Sequence, residues 1–421
     1  MTTPSTRHSW WVATLAGMVS YLDAGAIVTT GTALVIYREA FGFDDLQFGT
    51  LSALLTISIA VGALVGGPAG DRLGRKPVFL ATLSLFAVGA LVLTFATGTS
   101  MLFPGVILLG FAAGADLPVS LSMVAEAATD ANRGKLISFS HILWMAGVIV
   151  VSLLGTLFGD LGVLGARILY GHLLVVSLVV LVLRMGLPES QAWRNSRAIA
   201  VVQPGEGRGL RGLAELRRPR YLAAIVATGL FYALVNIAAN TNGQFSSLLY
   251  VEVAGAKVSQ ASLISMIITF VSAGSLLLMM RIVDGRTRMA WFTAMAALSI
   301  VAFLIPGIGG VSIATLAIFG VLYSIAGAVA GEPMYKVWSQ ELFPTSIRAT
   351  AQSITIAFTR LVAAAVAIFT PALISYGPSI IFYFMVATSV VAFAIGIFWI
   401  ARMPRATDDD PALRGDRAEA R

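Results

Sequence analysis

The octet Gly70-Asp71-Arg72-Leu73-Gly74-Arg75-Lys76-Pro77 sets four charges and two glycines between two long apolar runs, residues 46–68 and 77–96. A helix crossing a hydrocarbon core about 30 Å thick needs about 20 mostly apolar residues at 1.5 Å each. Both runs meet that length, and the octet between them is too short and too charged to be a buried element. It reads as a tight turn at a membrane surface, with glycines for the bend and three cations against one acid.

The same measure finds ten more runs. Residues 10–37, 101–125, 135–158 and 163–185 complete a first set of six, and 220–249, 259–281, 288–306, 311–333, 349–375 and 378–402 form a second. Composition agrees, since 57% of residues are hydrophobic and 12% charged, against about 25% charged in a soluble domain. So few charges cannot make a water-facing surface, and the chain uses lipid as its solvent. The expected fold is all-α, with twelve spans in two six-helix bundles: 1–187, then a polar linker 188–219, then 220–403, with a disordered tail 404–421. Thr2–His8 is polar and the run from Trp10 to Tyr37 is too long for a signal peptide, so that run is taken as the first span.

Charge placement orients the chain. With the N-terminus inside, all of the 28 Lys and Arg except Arg38, Arg167, Lys257 and Arg360 fall in cytoplasmic segments or helix ends. Both termini are therefore expected in the cytoplasm, in a bacterial-type inner membrane. The net charge of +7 is spent on that orientation and on lipid headgroups, so nucleic acid is not an expected partner. There is no cysteine, which excludes disulfides, thiolate metal sites and thiol nucleophiles. No histidine–carboxylate set has metal-ligand spacing, no phosphate-cradling loop appears and no nucleophile–base pair stands out, so neither cofactor, metal nor enzymatic activity is expected.

The halves repeat. Glu126 is followed seven residues on by Arg133, and Glu341 seven residues on by Arg348, at an offset of 215. Asp71–Arg75 has a degraded echo in Asp284–Arg288, and Pro188 and Pro404 each end a sixth run. Duplicated halves around a central solute site are a recurrent transporter plan.

These features together resemble the major facilitator superfamily, and the resemblance covers nearly the whole chain. The octet looks like that family's signature loop. Leu187-Pro188-Glu189-Ser190 and Glu341-Leu342-Phe343-Pro344-Thr345 resemble the sugar-porter and organic-ion branches. The resemblance implies alternating access, with Gly70, Asp71, Arg72, Gly74, Arg75, Glu126, Arg133, Glu341 and Arg348 serving as a cytoplasmic latch. The plainer alternative is that the loop cations enforce topology alone. Glu126, near the surface, is expected to pair with a motif arginine.

Ionisable groups at membrane depth cost about 2.5–3.5 kcal/mol each and need a reason. Asp23 in the first span and Asp116 in the fourth sit at similar depth. They are read as proton-coupling carboxyls, against the alternative of permanently protonated structural acids. Gly114-Ala115-Asp116-Leu117-Pro118 resembles the fourth helix of proton-coupled phosphate and organic-ion porters, and departs from sugar porters, which carry an early arginine there. Arg360, in the eleventh span, either gates by pairing with Asp23 or Glu332 or anchors an anion. Tyr232, Asn236, Asn240, Asn242 and Gln244 make the seventh span polar and suited to hydroxyl-bearing solutes, with Gly243 expected to loosen the helix. The bland alternative for them is helix-to-helix hydrogen bonding. Tyr335 and Trp338 either close the cavity or anchor at the interface, and His141 and His172 are expected to be satisfied helix contacts. The expected function is proton symport of a sugar, inositol-like polyol or sugar acid by a monomer. An organic-anion porter is the rival, followed by a drug or metabolite efflux antiporter and a receptor without transport.

Overall fold

The computed structural model describes residues 6–127, 133–189, 194, 218–282, 287–343 and 345–405. Most of the expected linker and the tail beyond Arg405 lie outside the described residues. Within them the chain forms helices α1 (Thr6–Phe41), α2 (Asp45–Leu73), α3 (Arg75–Thr94), α4 (Thr99–Ala127), α5 (Arg133–Phe158) and α6 (Val163–Met185). The series continues with α7 (Pro219–Leu248), α8 (Val258–Ile282), α9 (Arg288–Gly309), α10 (Ile313–Ala330), α11 (Glu332–Glu341), α12 (Thr345–Tyr376) and α13 (Pro378–Ala394). Twelve helical stretches are long and apolar enough to cross a membrane. Lipid offers the backbone no hydrogen bonds, so each crossing must satisfy its own amides, which only a helix can do within one segment.

Two local departures from the expected spans have clear causes. The tenth span is two helices, because Gly331 interrupts it and Pro333 then starts α11, carrying the helix on to Glu341. The seventh span is not loosened at Gly243, since α7 runs through it unbroken. Its irregularity comes later, as a π-helical turn over Leu249–Val253.

Contacts group the chain into two compact units. One holds Met1–Pro204, Gly243–Thr269 and Ala367–Ala372; the other holds Gly205–Asn242, Phe270–Val366 and Leu373–Arg421. In the first, α2 and α4 approach until their backbones touch. Gly62 and Gly66 on α2 face Phe111 and Ala115, while Gly110 and Gly114 on α4 face Leu55 and Ile59, and a Cβ at any of the four would strike backbone. Reciprocal small residues at four-residue spacing replace the missing hydrophobic drive between helices in lipid with close dispersion contact. The second unit is held by aromatic packing, with Phe292 edge-on to Trp338 and Phe393, and Phe231 edge-on to Trp338.

Candidate functional site

The polar octet is pinned in the first unit by an acid from outside it. Gly74 has φ of +106°, a conformation that glycine adopts without strain. Glu189 then caps α3, its carboxylate accepting from the backbone N–H of Arg75 at 3.0 Å and of Lys76 at 3.1 Å. An anion at a helix N-terminus satisfies orphan donors and meets the positive end of the helix dipole. Lys76 Nζ donates to the Met185 carbonyl at 2.8 Å, joining the octet to the end of α6. Arg75 is buried and Arg72 is exposed with a contact of its own. The side chains of Asp71, Glu126, Arg133 and Arg348 lie outside the described residues. In the other half, Arg288 donates both terminal nitrogens to Glu341, at 2.8 and 3.0 Å. Arg288 is the repeat counterpart of Arg75.

Asp116 does not stand alone. Its Oδ2 accepts from Arg184 Nη1 at 2.8 Å, and its Oδ1 accepts from Thr82 and Ser120 hydroxyls at 3.2 Å each. The charge count had placed Arg184 among the basic residues of cytoplasmic helix ends, but the structure buries it completely. Asp23 is part-buried on α1 and has a partner of its own. Nearby on α1, the Tyr21 hydroxyl lies 2.6 Å from His172 Nε2 on α6, and His141 stacks on Trp144. His172 is thus a contact between helices, though its Nδ1 is buried without a partner among the described residues, while the exposed His141 stacks within its own helix.

The same unit includes the last turns of α7, packed against α1 and α2. Thr32 and Ser247 hydroxyls lie 3.1 Å apart, and Gln244 Nε2 donates to Thr56 Oγ1 at 2.9 Å. At the adjoining helix ends Arg38 reaches Asp45 at 2.6 Å and Glu252 at 3.1 Å. Arg38, singled out in the sequence only as an exception to the charge rule, thus ties α1 to both α2 and the π turn that follows α7.

In the second unit Tyr232 on α7 stacks on Tyr335 of α11, ring centroids 4.0 Å apart. Tyr232 is hydrogen-bonded to Glu332 and feels the charge of Arg360 on α12, so the structure brings the expected Tyr232 and Arg360 into one neighbourhood. Tyr335 donates or accepts across 2.6 Å with Thr355. Both Tyr335 and Trp338 are buried in protein, so neither is an interfacial anchor. Asn236 lies one helical turn from Tyr232; it is 8% exposed, and its Oδ1 has no hydrogen-bond partner among the described residues. Asn242 is half-buried, and Asn240, also half-buried, has a partner. Glu332, at the start of α11, was named in the sequence only as a possible mate for Arg360. The signal that could have raised it is the Gly331-Glu332-Pro333 helix break, which puts a carboxylate at a helix N-terminus. No group of three or more His, Asp or Glu able to hold a metal occurs among the described residues.

The family model for the Major Facilitator Superfamily matches residues 13–354. The chain is 34% identical over 367 residues to the minor myo-inositol transporter IolF of Bacillus subtilis (strain 168), covering 86% of this chain and 83% of that one. It is 30% identical over 207 residues to the arabinose-proton symporter of Escherichia coli (strain K12), covering 49% and 43%. Among solved structures, the D-xylose-proton symporter superposes with a TM-score of 0.75 at 20% identity, covering 92% of this chain and 96% of that one.

Proposed function

Since this chain belongs to the major facilitator superfamily, and is thus a membrane transport protein and not an enzyme, we propose that it moves a sugar or inositol-like polyol together with protons by alternating access. The observation that carries the solute reading is the buried Asn236 with its unpartnered Oδ1, set one turn from Tyr232 in a chain similar to a myo-inositol transporter over most of its length. A buried polar atom left unsatisfied costs about 1–3 kcal/mol. A solute hydroxyl donating to that oxygen offsets the cost, and an amide can both donate and accept along a polyol. Asn240, one turn further on, extends the polar face, Asn242 and Gln244 add amides along the same helix, and the Tyr232–Tyr335 stack offers an aromatic wall to the C–H face of a ring.

Proton coupling is assigned to Asp23 and Asp116, the two carboxylates on spanning helices of the first unit. The similarity to a proton symporter of arabinose supports it. The rival organic-anion reading rests on Arg360. That cation shares its neighbourhood with the carboxylate of Glu332, so the local field is mixed and favours a neutral solute over an acid. The latch role of the octet is retained, with Glu189 added as the acid that holds it. The protein is read as a monomer in a cytoplasmic membrane with both termini inside.

The test is thermal stabilisation of purified protein by myo-inositol, sugars, sugar acids and aromatic acids, with Asn236→Ala and Arg360→Ala alongside. Neutral polyols are expected to stabilise, with Asn236→Ala weakening them about five- to tenfold, for the loss of one hydrogen bond worth about 1 kcal/mol. Stabilisation by acids alone, abolished in Arg360→Ala, would replace this reading by the organic-anion one.

A further inference from the structure

Among the described residues Arg184 heads the largest fully buried side chains, on a helix that exposes Val175, Leu178, Val179, Val182 and Leu183. Its guanidinium is engaged through all three nitrogens. Nη1 meets Asp116 Oδ2 at 2.8 Å on α4, Nε meets the Leu15 carbonyl at 2.9 Å, and Nη2 meets the Ala16 carbonyl at 3.1 Å, both on α1. A longer contact of 3.5 Å reaches Ser120, and the guanidinium carbon lies 3.6 Å from the centroid of the Phe79 ring on α3. Four helices therefore meet at one cation. Stability alone does not explain it, because well-packed apolar residues usually match or exceed a buried ion pair.

The carboxylate is enclosed as well. α3 presents Thr82 to it, α4 its own Ser120, and α2 packs against α4 through Gly62 and Gly66. Among the described residues Arg184 is the charged group that faces it. Along the same helices the other described charges are Asp23, Arg38 and Glu39 on α1, Asp45 and Arg72 on α2, Arg75 and Lys76 on α3, and Arg167 on α6. A narrow void beside Asp116, lined by Val19, Leu22, Phe86 and Ala112 among others, is too small for a water molecule. Ala16, whose carbonyl Arg184 holds, lies two helical turns from Asp23, so the two occupy one face of α1.

We infer that Arg184 is a positioning residue for the proton step, a clasp that joins the charge of Asp116 to the backbone of α1, the helix that carries Asp23. With Asp116 ionised, the guanidinium is held between carboxylate and carbonyls and α1 is fixed. When Asp116 takes a proton the ionic half of the clasp is lost, and α1 is restrained only by two hydrogen bonds to neutral carbonyls. The proton is thereby converted into freedom of α1, which packs against the end of α7 through Thr32 and Ser247. This inference rests on the proton-coupled reading above.

The experiment uses full-length protein in sealed vesicles. It measures myo-inositol accumulation driven by a pH gradient, inositol counterflow without one, and the pH profile of counterflow, for wild type, Asp116→Asn, Arg184→Gln and the double variant. Arg184→Gln should keep counterflow while changing its pH profile and cutting gradient-driven accumulation at least tenfold. Asp116→Asn should exchange without accumulating, at a rate indifferent to pH. If wild type ignores the gradient, proton coupling itself fails and this inference with it. If wild type responds and Arg184→Gln shows the wild-type profile, coupling stands and the clasp is wrong. Should Arg184→Gln not fold, the double variant decides, since it removes both charges together. Accumulation at the wild-type level would overturn the clasp, as would exchange no faster than in Asp116→Asn alone, whereas exchange faster than in Asp116→Asn, with the two remaining bonds to α1 gone, would support it.

Discussion

Replacing Arg38 by alanine should let the end of α7 part from α1 more often, by an amount the geometry allows one to estimate. Arg38 bridges two acids, Asp45 at 2.6 Å and Glu252 at 3.1 Å, with side-chain exposures of 22%, 26% and 34%. A pair this exposed is screened and contributes a few tenths to about 1 kcal/mol. Both pairs vanish in Arg38→Ala, and the two acids, which already act on one another, lose the cation between them. A total of about 1–2 kcal/mol follows, or about a five- to thirtyfold change in the population of the parted state. The chain has no cysteine of its own, so Ser247→Cys supplies a single probe where α7 is buried against α1. Its modification by a maleimide, measured in purified protein with and without Arg38→Ala, reads that population directly. The loss of the Thr32–Ser247 contact is common to both proteins and cancels. Salt adds a second check, because raising ionic strength from about 0.1 to about 1 M shrinks the screening length from about 10 to about 3 Å. It should speed labelling of the Arg38 protein and leave the alanine variant nearly unchanged. Equal labelling rates in the two proteins would refute the view that this ion cluster holds the helices together.

Two further expectations come from the same unit. Thr32→Cys with Ser247→Cys should form a disulfide on oxidation, since the hydroxyls they replace lie 3.1 Å apart; solute uptake should stop in the oxidised protein and return on reduction, and undiminished uptake with the bond formed would show that this contact never opens. Gly66→Ala and Gly67→Ala differ by one position on α2, yet a Cβ at Gly66 strikes the Ala115 backbone while one at Gly67 has its nearest neighbour at 3.9 Å. The first should destabilise by about 1–3 kcal/mol through overpacking, visible as a lower unfolding temperature in detergent, and the second should be neutral or slightly stabilising; equal effects would mean that the two helices are not packed through glycine.

The spans were legible because lipid makes length and hydropathy decisive, and each expected run corresponds to a helical stretch, the tenth as two helices carried on to Glu341. The misses were local. Gly243 looked like a break, yet a glycine inside a spanning helix loses little when neighbours and lipid hold the backbone in place. The true interruption at Gly331 precedes a proline, which is a stronger signal than glycine alone. Asp23, Asp116, Arg360 and the asparagines stand out in the sequence because polar atoms at membrane depth are rare. Their partners were not, because partnership is a property of three dimensions. Glu189 lies 113 residues from Lys76, whose backbone it caps, and nothing in the local pattern of either residue marks the other.

Arg184 shows the limit most sharply. A count of cations near helix ends treats every arginine as an orientation signal, and a residue one position before Met185 at the end of α6 satisfies that count perfectly well. What the count cannot register is direction. An arginine on the lipid side of a helix end reaches outward to headgroups, whereas Arg184 turns inward across α6 to a carboxylate 68 residues earlier. The topology inferred from the other cations survives its removal from the tally, since one residue among 28 does not reverse the bias. The reading of Asp116 does not survive its omission, because an acid held only by the hydroxyls of Thr82 and Ser120 is a different chemical object from one held by a buried cation. For a membrane protein the useful order of reading is therefore to set orientation from the whole set of charges, and then to ask of each cation near a buried acid whether the two can meet.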